Sequence, residues 1–190
     1  MKKILTLLLC SAMLLFAGCT GQQDNAPEED AATPAPPPGE TITVGTACNA
    51  AIVNIRIEPD GESRIVDNAM RGDMYQVLDY REGAETEWYK IICMGDTAYI
   101  SADYLFITQW ESGTELTLGT VVNSDEVVGI YSSADSESPV VLGALKGEQY
   151  LVIYDDSENG WYKLGFPEGE GYISSDYLEV KTVTIENALS

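Results

Sequence analysis

Hydrophobic positions fall into three regimes along the chain. Behind Met1-Lys2-Lys3, residues Ile4 to Phe16 are almost unbroken apolar, and the small residues Ala17 and Gly18 follow. This order of charge, apolar run and small residues is that of a secretory signal. The run is shorter than the roughly 20 residues a helix needs to cross a hydrocarbon core. Residues 20–41, with Gln22-Gln23-Asp24-Asn25 and Pro34-Ala35-Pro36-Pro37-Pro38, show no apolar period. Their polar, acidic and proline-rich composition predicts a disordered linker, because too little surface is available to bury. At a polyproline rise of about 3.1 Å per residue, such a tether reaches roughly 60–70 Å. From residue 42 onward, short runs rich in Val, Ile and Tyr alternate with turn formers such as Glu58-Pro59-Asp60-Gly61, Ser157-Glu158-Asn159-Gly160 and Pro167-Glu168-Gly169. These predict strands. Tyr75 and Val77, like Tyr150 and Val152, fall on one strand face, with Gln76 and Leu151 on the other.

The third regime contains itself twice, at a spacing of 73–75 residues. Gly45-Thr46 answers Gly119-Thr120, and Arg71-Gly72 answers Lys146-Gly147. Trp88-Tyr89-Lys90 answers Trp161-Tyr162-Lys163, and Tyr99 through Leu105 answers Tyr172 through Leu178. Self-similarity of this kind predicts two copies of one structural unit. Five or so strands in about 60 residues are too few for two deep layers and fit a small barrel filled by its own side chains.

The pattern resembles the bacterial SH3 (SH3b) domain. The first copy supplies Val53-Asn54-Ile55-Arg56, Pro59, Arg71-Gly72, Trp88-Tyr89-Lys90-Ile91 and Ala98-Tyr99-Ile100 through Leu105. The second supplies Lys146-Gly147, Gly160-Trp161-Tyr162-Lys163 and Gly171-Tyr172-Ile173 through Leu178, with Gly129-Ile130-Tyr131 in place of the Asn-Ile-Arg element. The resemblance implies an all-β fold of two tandem small SH3-like β-barrels, at 42–108 and 117–181, joined by a linker at 109–116 and ending in a C-terminal tail at 182–190. Trp110, in that linker, is placed to wedge between the barrels. The eukaryotic SH3 signature Ala-Leu-Tyr-Asp-Tyr is absent from both copies, so recognition of proline-rich peptides is not implied.

Leu15-Phe16-Ala17-Gly18-Cys19 resembles a bacterial lipobox, with Phe16 where Leu is usual. The resemblance implies cleavage after residue 18, lipidation of Cys19, and a lipidated, disordered tether over 19–41. Each buried acyl methylene contributes about 0.8 kcal/mol, enough for two or three chains to hold the protein on the outer face of a bacterial membrane. Loss of residues 1–18 removes Lys2 and Lys3 from ten basic residues and none of the thirty-one acids, moving the net charge from −21 to −23. A polyanion of this kind opposes nucleic acid and anionic lipid and favours basic partners. The chain has no histidine, which removes the commonest general base and the usual nucleophile pairs. No carboxylate pair is placed by a motif, so the expectation is a protein that is not an enzyme and takes no cofactor.

Of the four cysteines, Cys10 leaves with the signal and Cys19 takes lipid, leaving Cys48 and Cys93 in an exported, potentially oxidising setting. They align with Val122 and Phe166 in the second copy, and their joint absence there predicts a disulfide between Cys48 and Cys93. The alternative is two buried free thiols.

Aromatic residues dominate binding hot spots, and the candidates for ligand binding are Tyr80, Trp88 and Tyr104 in the first copy and Tyr131, Tyr154, Trp161 and Tyr177 in the second. Tyr89, Tyr99, Tyr162 and Tyr172 are expected in the core. Acidic loops at Glu58, Asp60 and Glu62 and at Asp135, Ser136 and Glu137 favour ligands bearing free amines, which peptidoglycan stem peptides carry. Asp155 through Gly160 has calcium-loop spacing at its start, but Phe166 stands where a bidentate Glu is required, so a turn and no metal site are expected. The function expected is a membrane-anchored, non-catalytic cell-envelope lipoprotein that contacts a cell-wall peptide of peptidoglycan or another envelope component. The alternative is a scaffold or sensor subunit at the cell surface that binds an envelope protein.

Overall fold

The computed structural model describes residues 39–80 and 87–189. The signal, Cys10, Cys19 and nearly all of the tether lie outside the described residues. Those described belong to one compact unit spanning 32–190. Fourteen short strands carry the fold among them, with one terminal helical turn. The first half holds β1 (Thr41–Ala47), β2 (Ile52–Arg56), β3 (Ile65–Met70), β4 (Met74–Gln76), β5 (Trp88–Cys93), β6 (Asp96–Ser101) and β7 (Leu105–Glu111). The second holds β8 (Glu115–Val121), β9 (Val128–Tyr131), β10 (Val140–Ala144), β11 (Gln149–Asp156), β12 (Trp161–Phe166), β13 (Gly169–Ser174) and β14 (Leu178–Thr184), followed by α1 (Ile185–Ala188). The two halves match strand for strand, as the sequence repeat requires.

All strand ladders are antiparallel. In the first half, β4-β1-β7 form one sheet and β3-β2-β6-β5 a second, linked by the bridge Val77↔Ile91. In the second half the corresponding sheets merge into one of order β10-β9-β13-β12-β11-β8-β14. The merger follows from the longer β11, which pairs with β8 through Gln149–Leu151, then crosses a bulge between Val152 and Tyr154 to continue along β12. The expected closed barrels are not found. Each sheet ends at free edges, because β9 meets β13 through the single pair Tyr172↔Tyr131, β2 meets β6 through Arg56↔Tyr99, and β4 is only three residues long. Residues 109–116 are not irregular chain: they finish β7, turn at Gly113, and begin β8.

Each half has its own core. Val53, Ile55, Tyr75, Val77, Ile91, Ile100 and Leu105 fill the first, and Val128, Ile130, Tyr150, Val152, Leu164, Ile173 and Leu178 the second. The expected alternation holds on β4 and β11, where Tyr75, Val77, Tyr150 and Val152 are all buried. Tyr89 and Tyr162 pack against the cores. Tyr99 and Tyr172, expected there too, lie half-buried on the opposite strand face, because the period-2 rule gives the inward positions to the buried Ile100 and Ile173.

A third cluster joins the halves: Ile42, Val44, Met74, Leu116, Leu118 and Ile185, with Trp110, Leu151, Val183, Ala188 and Leu189 packed against it. Strand β1 turns Ala47 into its own core while sending Ile42 and Val44 to the shared cluster; β8 does the same with Val121, Leu116 and Leu118. Two glycines allow this double packing. A Cβ on Gly45 would lie 2.8 Å from Leu105, and one on Gly119 would lie 2.4 Å from Leu178. The carboxy-terminal segment closes the cluster: Ile185 is fully buried, its N–H donates to the Thr114 carbonyl at 2.8 Å, and Leu189 bridges to Met74. The Glu186 carboxylate accepts from Ser112 Oγ at 2.5 Å and from the Gly113 N–H at 2.7 Å; the Ser112 hydroxyl foremost holds its carboxyl below the usual range.

Cys48 and Cys93 are both free and buried, so the expected disulfide is absent. The Cys48 N–H donates to the Tyr104 carbonyl, just past the end of β6 that pairs with Trp88, whereas Cys93 closes the other end of β5 opposite Asp96. The two thiols sit in different surroundings, Cys48 near Arg71 and Glu168 and Cys93 against Asp67, and two cysteines without a shared neighbourhood cannot be bridged without backbone movement. Cys93 packs in the first core and its thiol donates to Asp67 Oδ2 at 3.7 Å, and Cys48 is buried as a small free thiol.

Two outcomes test this fold. Gly72 adopts φ +88°, and a Cβ there would lie 1.8 Å from the Gln149 carbonyl oxygen of the second half. Gly72→Ala should therefore cost more than the about 1–2 kcal/mol of a left-handed residue alone, read by urea unfolding. Burial, then the neighbouring Asp67, pushes the Cys93 thiol up to about 11, and burial raises Cys48 as well. Residues 32–190 should show two titratable thiols in unreduced denaturant. Native Cys93, about a thousandth thiolate at pH 8, should label slowly and roughly tenfold faster per unit of rising pH; a bridged pair would give no thiols.

Candidate functional site

The groove at the open end of the β12–β13 hairpin draws its residues from three places in the chain. Gly160, at φ +87°, ends the 157–159 turn and starts β12 at Trp161. Opposite, β13 ends at Ser174, paired with Trp161, and the 175–177 turn is pinned where the Ser175 N–H donates to the Gly160 carbonyl at 2.9 Å. That turn delivers Tyr177. Tyr131 ends β9, and its ring meets Trp161 edge to face, with centroids 5.8 Å apart and planes at 90°. The ring occupies space that a side chain at Gly129 would fill, since a Cβ there would lie 2.9 Å from it. Together with Ser124, Glu126, Val127, Ser136 and Ser174, these three aromatics line a cavity of about 470 Å³.

The structure thus brings together Tyr131, Trp161 and Tyr177 of the sequence candidates. Tyr154 lies outside this groove, 60% exposed on β11 opposite Lys163. In the first half, Trp88 opens β5 opposite Ser101 and Tyr104 ends the 102–104 turn, matching Trp161 and Tyr177. Tyr80 packs against the first core. The aromatic set is incomplete there, because Arg56 stands in the place of Tyr131 and its guanidinium donates to the Ser63 carbonyl. The acidic loops fold alike: Asp60 accepts the Glu62 N–H and Asp135 the Glu137 N–H, both at 2.9 Å. Ser136 places the second loop on the groove wall.

The calcium-like segment is a turn. Asp155 Oδ1 accepts the Ser157 N–H at 2.9 Å, and Asp156 accepts from the Asn159 amide at 2.6 Å. Hydrogen bonds from Ser157 hold the Asp155 carboxyl below its ordinary value.

Sequence reasoning missed a second concavity, a cleft of about 320 Å³ between the halves. Phe106, Thr108 and Trp110 of β7 form one wall; Ile153 of β11 with Phe166 and Pro167 of the β12–β13 hairpin form the other. At one end lies a charged group. Arg71 Nη1 donates to Glu168 at 2.9 Å, and its Nε lies 3.7 Å from Glu148, an ion pair without a hydrogen bond. Glu148 is 1% exposed and accepts from Tyr150 Oη at 2.7 Å and from the Leu145 N–H at 3.0 Å. Beside it, Gln149 Nε2 donates to Asp73 at 3.1 Å, and burial raises the Asp73 carboxyl above its usual range. The missed signal was the polarity of the outward face: Phe106, Thr108 and Trp110 of β7 correspond to Glu179, Lys181 and Val183 of β14.

Residues 126–179 match the family model of the bacterial SH3 domain. That segment runs from just before β9 to the first residues of β14 and contains Tyr131, Trp161 and Tyr177. No curated protein matches this chain. Similar solved structures include NlpC2 from Trichomonas vaginalis, at 16% identity over 74% of this chain and 48% of that one, TM-score 0.30. NlpC1 from Trichomonas vaginalis shows 18% identity over 77% and 49%, TM-score 0.30. The endolysin LysPBC5 CBD shows 14% identity over 77% and 98%, TM-score 0.28. The chain spans about half the length of the two NlpC proteins.

Arg71 is the countercharge of a carboxylate closed off from water. Removing it by Arg71→Met should cost about 3–5 kcal/mol, as breaking one partner of a buried pair does. Adding Glu148→Met should recover most of that loss, and denaturant unfolding of both variants measures it.

Proposed function

We propose that this chain is a lipid-anchored, non-catalytic binding protein of the bacterial cell envelope, and that the Tyr131–Trp161–Tyr177 groove takes a peptide component of peptidoglycan. The observation that carries this reading is that all three groove aromatics lie inside the segment matching the bacterial SH3 domain. Aromatic rings with polar tips supply apolar area and hydrogen bonding to one extended ligand. Glu126 on the groove wall and the net charge of −21 favour a ligand that carries amines. The lipobox-like start, with Cys19 as the acyl acceptor, supports anchoring at the outer face of a membrane. The first half, with the same strand sequence, is a second and diverged SH3-like copy whose Arg56 in place of Tyr131 weakens or alters its groove.

Retention of residues 32–190 on purified sacculi tests the proposal. Trp161→Ala should cut retention by at least about tenfold, the loss of roughly 1.4 kcal/mol or more expected of a hot-spot aromatic. Trp88→Ala should have the smaller effect. Wild-type retention no better than that of the Trp161 variant would reject the peptidoglycan reading, and recovery of an envelope protein alone would favour the scaffold alternative.

A further inference from the structure

The hairpin that carries Tyr131 is built on two glycines that face each other. Gly129 of β9 pairs with Gly143 of β10 within the ladder. A glycine inside a strand weakens it, because it gives up more chain freedom on folding and has no side chain to pack, and a facing pair also forgoes a cross-strand side-chain contact. Neither glycine adopts a positive φ, so backbone conformation does not demand them. Nor does the hairpin need them to form. In the first half β2 and β3 pair in the same way and carry a register shift of their own, yet Asn54 and Asn68 stand opposite each other in the equivalent pair, both exposed.

The space over both glycines is taken by side chains of the groove. A Cβ on Gly129 would lie 2.9 Å from Cζ and 3.1 Å from Oη of Tyr131, so the hydroxyl end of that ring rests over the glycine. A Cβ on Gly143 would lie 2.7 Å from Cγ1 of Val127. Tyr131 and Val127 both line the groove, as does Gly129 itself. The same Tyr131 ring meets Trp161 edge to face, so the way it lies on β9 also sets its contact with the indole. At the seam, by contrast, Gly45 and Gly119 make room for the core residues Leu105 and Leu178. In the first half, where the pair is Asn54 and Asn68, the residue at the place of Tyr131 is Arg56, which turns to the Ser63 carbonyl. The glycine pair and the groove aromatic therefore occur together in one half and are replaced together in the other.

We propose that Gly129 and Gly143 are positioning residues of the groove: by leaving the space over the hairpin open, they let the Tyr131 ring and Val127 lie against the sheet in the arrangement a ligand meets, and Asn54 and Asn68 deny the first half an equivalent surface. This rests on the Tyr131–Trp161–Tyr177 groove being the binding site. What a methyl group at position 129 displaces is the free end of a half-buried side chain and not backbone, so the substitution moves the ring without unfolding the hairpin.

The three tryptophans permit a direct test, because each gives its own indole N–H signal in 15N-labelled residues 32–190 and Trp161 reports the ring against it. Tyr131→Ala should move the Trp161 signal. Gly129→Ala should move it too, with the Trp88 and Trp110 signals in place and the urea midpoint no lower than that of the wild type. Retention of Gly129→Ala on purified sacculi should fall by at least about threefold, whereas adding Gly129→Ala to Tyr131→Ala should change retention by less than about 1.5-fold. That coupling separates a displaced ring from a weakened strand. Gly143→Ala should act in the same way through Val127, and Asn68→Ala in the first half should leave retention unchanged. A Gly129→Ala protein with wild-type Trp161 signal and wild-type retention would overturn the proposal, as would equal losses in the presence and absence of the Tyr131 ring. Should sacculi fail to retain the wild type, the peptidoglycan reading falls, and the Trp161 signal alone decides whether Gly129 sets the ring.

Discussion

Strands β1 and β8 are apolar on both faces, and a strand buried on both sides obliges the chain to supply a layer on each. One face of each strand completes the core of its own half. The other, Ile42 and Val44 in one case and Leu116 and Leu118 in the other, buries against its counterpart, Met74 and the carboxy-terminal Ile185. A unit of about 60 residues buries a smaller fraction of its surface than a larger domain does and is marginal alone, so the shared third cluster converts two marginal cores into one structure. The rest of the architecture follows from that contact. The turn at Gly72 must approach Gln149 closely enough to exclude any side chain, Arg71 is carried into a buried position where it needs carboxylates, and α1 is drawn back to cover the seam.

The same contact breaks the equivalence of the repeat. Arg71 and Lys146 hold one repeat position, yet Arg71 is largely covered, between the buried Glu148 and Glu168, whereas Lys146 lies exposed and pairs with the exposed Asp125 at 3.3 Å. Asp73 and Glu148 hold another, and only Glu148 takes the guanidinium while Asp73 accepts from Gln149. A planar fork of donors can serve two carboxylates at once, which an ammonium on a flexible stem does poorly. The difference between Arg and Lys at this position is therefore part of what fixes which half lies on which side of the seam. Divergence at the groove runs the other way: the second half keeps a full aromatic set, and the first replaces one member by Arg56, which is held by its own loop through Ser63.

Much of this was legible in the sequence because it rests on local rules. Period-2 alternation identified the inward faces of β4 and β11, the turn formers marked the hairpins, and the repeat predicted matching strand orders. What escaped was anything that depends on a second element. The alternation of Ile42 and Val44 with Gly45 and Ala47 is visible, but only the packing tells that both parities are buried. The joint absence of Cys48 and Cys93 from the second copy read as a pair of neighbours; in the fold they are separate buried thiols, Cys93 against Asp67 and Cys48 elsewhere. Closure of the barrels escaped for a related reason, since it depends on how many residue pairs join β9 to β13, a quantity set by twist and strand length rather than by residue type. Within the groove, residue type and strand-end position were sufficient to name Tyr131, Trp161 and Tyr177, whereas Tyr154 shared the residue type but sits on β11 opposite Lys163, away from the groove.

The groove and the cleft stand at the two ends of one strand. Trp161 opens β12 at the groove and Phe166 closes it at the cleft, about 17 Å apart at the rise of an extended chain. Between them β12 is paired along its length to β13 and, on both sides of the bulge, to β11, so the strand is a strut rather than a hinge. Coupling between sites requires an element with two discrete arrangements that both can bias. The only irregularity available on this path is the bulge between Val152 and Tyr154, and it lies in the neighbouring strand, with Ile153 at its centre and on the cleft wall. Ile153 is therefore the residue at which the cleft and the sheet irregularity meet, in β11 and not in β12.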